Sequence, residues 1–258
     1  MQSLGVTGAD PLSTGQFYEE LARVDFSQEG PRIRTFSVDL DPVAFIGSLS
    51  VGNVLTPIAS SDGIVSHVRE NPLASTADNS GTSRYFSLHT DGKYLPEVPE
   101  MVVLHCVNPG TSEIPTVFVD TKDIIDTLQD IDRLDEAKEY DLIFRNKDGL
   151  DFIRPLLETN PKNGEPVMNI AIASPQCHLR PLADSGRTQA DADKFYALLE
   201  KIAEEDISTL PHTWRKNDAV VFDNLRLVHG RGLPEHKMLE TSDFQRHLHR
   251  IWLSRKQV

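Results

Sequence analysis

The chain has 258 residues, 39% apolar and 25% charged, a composition at globular averages that excludes disordered, fibrous and repeat classes. Its 26 basic and 39 acidic residues leave a formal charge of −13, and because a polyanion binder needs a basic surface, nucleic acid is not an expected partner. No apolar run reaches the roughly 18–20 residues of a membrane span, and MQSLGVTGADPLS lacks a signal-peptide pattern, so a cytoplasmic protein with no membrane partner is expected. With no linker or repeat in view, residues 1–258 read as a single domain. Cys106 and Cys177 cannot form a disulfide framework and read as small buried hydrophobes in a reducing compartment.

Behind the candidate cap Ser13, Phe17, Leu21 and Val24 fall at helical spacing and predict a helix from Ser13 to Phe26. Arg34 to Asn53 carries short apolar runs of ambiguous type. Ile64 to Arg69 reads as a strand and Asn71 to Ser83 as a polar loop. Tyr85 to Asp91 (YFSLHTD) precedes the turn-rich GKYLPEVP, and Met101 to Val107 has the Val and Leu content of a buried strand. Thr116 to Val119 repeats that pattern. Thr121 to Gln129 predicts a helix, which the acidic segment Asp130 to Glu139 continues as a solvated face. Asp151 to Ile153 and Val167 to Ile172 are candidate strands around the loop signal ETNPKNGEP. Thr188 to Asp206 predicts a long helix with Phe195, Leu198, Leu199 and Ile202 on one stripe. Strands at Ala219 to Phe222, Arg226 to His229 and His247 to Leu253 complete the chain. Many short strands without regular helix alternation give a β-rich core with helices outside it, not a doubly wound sheet.

G-x-G-x-x-G, the P-loop, the G-x-S-x-G elbow and H-E-x-x-H are all absent, which removes the usual phosphate cradles, serine-hydrolase elbow and zinc-protease helix. His105 beside Cys106 makes no dyad, because neighbours on a strand point to opposite faces. What carries chemistry is His89 and Asp91, as H-T-D, together with His229 in FDNLRLVHGR. Strand residues i and i+2 share a face, so an imidazole and a carboxylate can take adjacent positions on one metal ion. A second histidine, from a strand across the barrel, would supply the third. Two histidines and one carboxylate with open positions suit non-haem Fe(II) oxygenases.

From His89 onward, HTDGKYLPEVPEMVVLHCV resembles the metal-motif segment of the taurine dioxygenase and γ-butyrobetaine hydroxylase superfamily. FDNLRLVHGR is similar to that family's distal-histidine motif, and QRHLHRIWL to its terminal Arg-x-x-x-Arg strand. The three stand in the expected order. The resemblance implies a mainly β fold with flanking helices (α+β), built on a double-stranded β-helix, or jelly-roll, core. It implies Fe(II) on His89, Asp91 and His229, and 2-oxoglutarate with its far carboxylate on Arg246 or Arg250, because a planar guanidinium pairs two oxygens at once. Arg246 matches the first arginine of the terminal strand, although the preceding loop GLPEHKMLETSD is long for the family. Thr116 matches a threonine that touches the cosubstrate, without the glycines that usually precede it. Tyr94 is either a substrate-pocket or a packing aromatic, and Arg69 either faces a substrate carboxylate or is an exposed strand residue.

The implied activity is a dioxygenase that hydroxylates an unactivated C–H bond of a small molecule, such as an amino acid or amine-bearing acid, releasing succinate and CO2. Desaturation or cyclisation would use the same cofactors, while Asp91 in the carboxylate position disfavours halogenation. The partners are O2 and a small-molecule substrate, with the chain a monomer or a homo-oligomer. A zinc or manganese hydrolase or isomerase on a similar barrel, or a noncatalytic metal-binding module, would use the same ligands. The other histidines, His67, His105, His178, His212, His236, His247 and His249, read as structural or surface residues, and Trp214 and Trp252 as packing.

Overall fold

A computed structural model describes residues 10–26, 31–52, 54–60, 63–69, 85–110, 114–145, 149–160, 163–171, 177–206, 209–232 and 246–256. β1 (Leu12–Ser13) leads into α1 (Thr14–Arg23). The helix starts here because Ser13 and Gln16 close a capping box: the Gln16 backbone N–H donates to the Ser13 hydroxyl, and the Ser13 N–H to the Gln16 side chain. The ambiguous stretch that follows resolves into β2 (Ile33–Asp39) and α2 (Pro42–Val51). Asp41 sets the switch by accepting from the N–H groups of Val43 and Ala44, with Pro42 pre-formed for the first helical turn. β3 (Leu55–Ile58), β4 (Val65–Arg69), β5 (Phe86–His89), β6 (Met101–Asn108) and β7 (Thr116–Asp120) follow. The expected loop from Asn71 to Ser83 lies outside the described residues.

α3 (Thr121–Asp130) does not continue through the acidic segment. Asp132 takes a left-handed φ of 58°, and the N–H groups of Asp132 and Arg133 donate back to Gln129 and Leu128, which ends the helix in a Schellman closure. The chain then passes through α4 (Leu134–Ala137) into β8 (Tyr140–Arg145), β9 (Asp151–Pro155), β10 (Leu157–Thr159), β11 (Pro166–Met168) and β12 (Cys177–Pro181). Of the strand expected at Val167 to Ile172, the first two residues pair within β11, Ala171 forms an isolated antiparallel bridge with His89, and Ile172 lies outside the described residues. α5 (Gln189–Lys201), capped by Thr188 through Asp191, runs into a π turn at Ile202–Asp206. β13 (Leu210–His212), β14 (Asp218–Asp223), β15 (Leu227–Arg231) and β16 (His247–Arg255) close the fold.

The strands build two principal sheets. The larger runs β1-β2-β14-β6-β16-β3, and β4 also pairs β16. β3 binds the C-terminal half of β16 and β4 its N-terminal half, so together they act as one interrupted strand. The smaller runs β13-β7-β15-β5. The side chains of β6 show how the core is divided, because alternate residues face opposite ways. Val102, Leu104 and Cys106 point inward, with Phe222 of β14 and Trp252 of β16 beside them in the same sheet, and meet Phe118 and Leu227 of the smaller sheet. Met101 and Val103 point outward under α1 and α2. α3 and α5 cover the outer side of the smaller sheet. This is the expected jelly-roll core with helices outside.

Cys106 and Cys177 are buried, and burial pushes the Cys106 thiol up to about 12. His105 and Cys106 face opposite sides of the sheet, as strand alternation requires. Among the described residues, no helix is long and apolar enough to cross a membrane.

Candidate metal centre

His89 is the last residue of β5, Asp91 sits in the turn after it, and His229 is in the middle of β15. His229 does not reach over from across the barrel. β15 is the neighbour of β5 in the smaller sheet, and His229 lies directly opposite His89 in the register. Their rings stand 4.5 Å apart. His89 Nε2 lies 3.6 Å from Asp91 Oδ1, and His229 Nε2 lies 3.8 Å from Asp91 Oδ2. One ligand atom from each residue falls within 4.8 Å of the others.

Each side chain is held in place by its surroundings. His89 Nδ1 faces the Ser87 carbonyl at 2.8 Å. A carbonyl only accepts, so Nδ1 carries the proton and Nε2 presents its lone pair to the site. His229 packs between Phe118 and Phe222. Burial, reinforced by His89 and Arg250 against the pull of Asp91, drives its pKa down to about 3, so it is a neutral donor. For Asp91, burial alone would raise the pKa. Arg250 and the two imidazoles outweigh burial and hold the carboxyl well below the usual carboxylate range.

Arg250 donates to Asp91 Oδ1 at 3.1 Å and the Trp252 indole to Oδ2 at 3.0 Å. The backbone of Asp91 is clamped as well. Its N–H donates to Asn224 Oδ1 at 3.0 Å, while Asn224 Nδ2 donates to the carbonyls of Asp91 and Pro99. Two glycines make the approach possible. Gly92 turns the chain at φ +70°, where a Cβ would sit 2.5 Å from Pro99 Cδ, and a Cβ on Gly230 would sit 2.5 Å from the Phe86 carbonyl.

A cavity beside the two histidines is lined by Val68, Leu104, Thr116, Arg231, Arg246 and Arg250, among others. Arg246 is only 4% exposed and donates to the Ile114 carbonyl at 3.2 Å. Burial and the nearby Arg231 push its pKa down to about 9, which leaves it cationic at neutral pH in surroundings that favour an added anion. The Thr116 hydroxyl accepts from the Trp214 indole at 2.9 Å, which leaves its own proton free to donate. Tyr94 stacks on Phe144 and meets the edges of Phe152 and Trp252, forming an aromatic wall on the Asp91 side. Arg69 does not join the site. It is exposed and opposite His247 on the outer face of the larger sheet, because the alternation of β4 turns Val68, not Arg69, toward the cavity.

The structure adds residues that the motifs alone did not single out: Asn224, Arg231 and Lys93, and Trp252 in more than a packing role. Lys93 is buried against the Asn169 side chain, and burial, partly opposed by Glu158, lowers its pKa to about 7. The i, i+4 spacing of Leu248 and Trp252 about Arg250 was the available signal for Trp252, since all three share one face of a strand.

Tyrosine isonitrile desaturase from Pseudomonas aeruginosa is 27% identical over 184 residues, covering 67% of this chain and 61% of that protein. The crystal structure of PvcB from Pseudomonas aeruginosa superposes with a TM-score of 0.67 at 22% identity, over 95% of this chain and 83% of that one. A taurine dioxygenase from Burkholderia xenovorans superposes with a TM-score of 0.60 at 17% identity, over 95% and 87% of the two chains. At such identities the structural likeness is one of fold. The family that matches by sequence does so from residue 43 to residue 252, a span holding the H-T-D turn, the distal histidine and both strand arginines, and the chain therefore belongs to the taurine catabolism dioxygenase TauD, TfdA family.

Proposed function

We propose that the chain is an Fe(II)- and 2-oxoglutarate-dependent oxygenase with His89, Asp91 and His229 as its metal ligands. The observation that carries this reading is one convergent donor set, two imidazoles and an ionised carboxylate, beside a cavity that also holds buried Arg246. The donor set fits Fe(II), because two neutral nitrogens and one anionic oxygen on one side leave positions open. Bound there, the metal would couple oxidative decarboxylation of 2-oxoglutarate, giving succinate and CO2, to oxidation of a C–H bond by O2.

The chain's own part is positioning. Arg246 offers a planar fork to the far carboxylate of 2-oxoglutarate, with the Thr116 hydroxyl as a second donor. Arg250 is engaged with Asp91, which favours Arg246 for the cosubstrate. Tyr94 and its aromatic neighbours exclude water on the substrate side. A small amino acid or amine-bearing acid is the proposed substrate class and hydroxylation the proposed outcome. Desaturation is the second reading, favoured by the desaturase relative, and the aromatic wall would suit a substrate derived from an aromatic amino acid. A cytoplasmic setting is proposed because the chain carries only two cysteines, too few for a disulfide framework.

The test supplies Fe(II), 2-oxoglutarate and O2 with a panel of amino acids and aromatic acid derivatives, and reads succinate release and product mass under 18O2. One labelled oxygen marks hydroxylation, and loss of two hydrogens marks desaturation. A hydrolysed or isomerised product formed anaerobically with Zn(II), without succinate under any condition, would overturn the reading.

A further inference from the structure

A second group of histidines lies on the opposite face of β16, outside the cavity. His247 and His249 are two residues apart on that strand and so share a face, and His67 of β4 is directly opposite His249 in the register. The three rings form a near-equilateral triangle, with centroids 5.2, 5.1 and 5.2 Å apart. One nitrogen from each lies within 4.8 Å of the others, and His67 Nδ1 and His247 Nε2 approach to 2.9 Å. His67 is exposed and His247 half-buried, so the triangle opens to solvent. His249, at its base, is only 9% exposed, and its Nδ1 has no hydrogen-bond partner among the described residues. His105 stacks beneath it at 5.8 Å.

We propose that His67, His247 and His249 form a second metal site, selective for a late first-row divalent ion such as Zn(II). Tetrahedral zinc with Zn–N bonds of about 2.0–2.1 Å sets its nitrogens about 3.3 Å apart. His67 and His247, more exposed than the buried His249, have room to turn and close that distance around it. The ionic neighbours acting on His247 and His249 are Arg69 and other histidines, a setting that disfavours imidazolium. Burial, with His105, His247 and His67 beside it, takes the His249 pKa down to about 4, so the lone pair of this buried ring is available at neutral pH. An all-imidazole donor set suits zinc, copper or nickel, whereas magnesium and calcium prefer oxygen ligands. Three protein ligands leave a fourth position for water. The site stands on these residues alone and does not depend on the iron reading.

The test titrates metal-free full-length protein with Zn(II) by calorimetry, with metal content of the separated protein measured by mass spectrometry. The wild type should bind two ions per chain. His67→Ala with His247→Ala should remove one of them, and either single variant should weaken it by at least about 10-fold. His229→Ala should remove the other and spare this one. Co(II) gives an independent reading: the strong visible absorption of a four-coordinate site should persist in His229→Ala and vanish in His67→Ala, an exposed position whose substitution leaves the fold intact. One ion in the wild type that survives His229→Ala but not His67→Ala would uphold this site while removing support for the inner one. Equal stoichiometry and affinity in the wild type and the His67→Ala, His247→Ala protein would overturn the proposal, as would a single wild-type ion lost with His229→Ala.

Discussion

Two histidine groups lie on opposite sides of β16 and are built on different plans: His89 and His229 come from β5 and β15 of the smaller sheet, and His67, His247 and His249 from β4 and β16 themselves. On the inner face the group is asymmetric and supported from behind: two imidazoles meet a carboxylate whose oxygens already receive Arg250 and Trp252, and whose backbone is clamped by Asn224. On the outer face three like side chains crowd together, with a base that is buried and a rim that is exposed. The surroundings of the inner group hold one anion in one place, whereas among the described residues the outer group has only the stacked His105 behind it. Pre-organisation of a ligand set therefore depends on what stands behind the donors as well as on the donors themselves.

The largest effect that would break this comparison is loss of an inner donor. His229→Ala or Asp91→Ala is expected to abolish Fe(II) binding and succinate release, measured as metal content and turnover, while His178→Ala, at an exposed position of β12, leaves both unchanged. Next is Arg246→Ala, expected to raise the apparent 2-oxoglutarate constant by about two to three decades with iron retained, because a buried carboxylate left unpaired costs about 2–5 kcal/mol. Arg246→Lys should recover only part of that, since an ammonium cannot form the fork. Arg250→Ala should instead weaken iron. If Arg250→Ala gives the larger cosubstrate defect, the two arginines exchange roles.

The clamp is open to the same approach. Asn224 is fully buried and makes three hydrogen bonds with the backbone around Asp91 and Pro99, so Asn224→Ala should cost about 2–4 kcal/mol in urea unfolding. Trp252→Phe keeps the packing and removes one donor to Asp91, with an expected loss of about 10-fold in iron affinity.

The smallest effect belongs to the outer face and is read on metal-free protein. The folded-state pKa of His249 is held down to about 4, while an unfolded histidine protonates near pH 6.5. Between roughly pH 6.5 and 4 the unfolded chain binds more protons, so stability falls as pH falls through that window. His249→Gln should flatten that part of the curve, and an unchanged slope would mean that the outer ring carries no such strain.

Much of this architecture was legible in the residues. Local rules located α1, α3 and α5 through their caps and stripes, and the Val- and Leu-rich run of β6 through burial. The H-T-D motif marked His89 and Asp91 as a pair, although Asp91 lies in the turn after β5 and so reaches the site by the turn and not by strand alternation. What escaped was nonlocal or weakly patterned. β3, β12 and β13 are short or half-exposed and lack a continuous apolar run, and the apolar stretch of β8 is only three residues long between charged neighbours. The end of α3 rests on one aspartate in a left-handed conformation, a choice that propensity does not foretell. The outer histidine group joins residues 180 positions apart through the pairing of β4 with β16, and spacing along the chain holds no trace of it. Of the two readings open for Arg69 the structure takes the exposed strand residue, and spacing alone could not choose, since which face of β4 meets the cavity is decided by its partner strand.

The Asn224 clamp has a consequence for recombination. It joins the H-T-D turn to the segment before the distal histidine across 133 positions of sequence. The two motifs thus form one heritable unit despite their separation. A chimaera that takes the first motif from one parent and the second from another must match the asparagine to its turn, or the carboxylate will be inherited without its aim. Crossovers placed between the motifs should therefore succeed mainly among parents that share this contact, whatever their identity elsewhere.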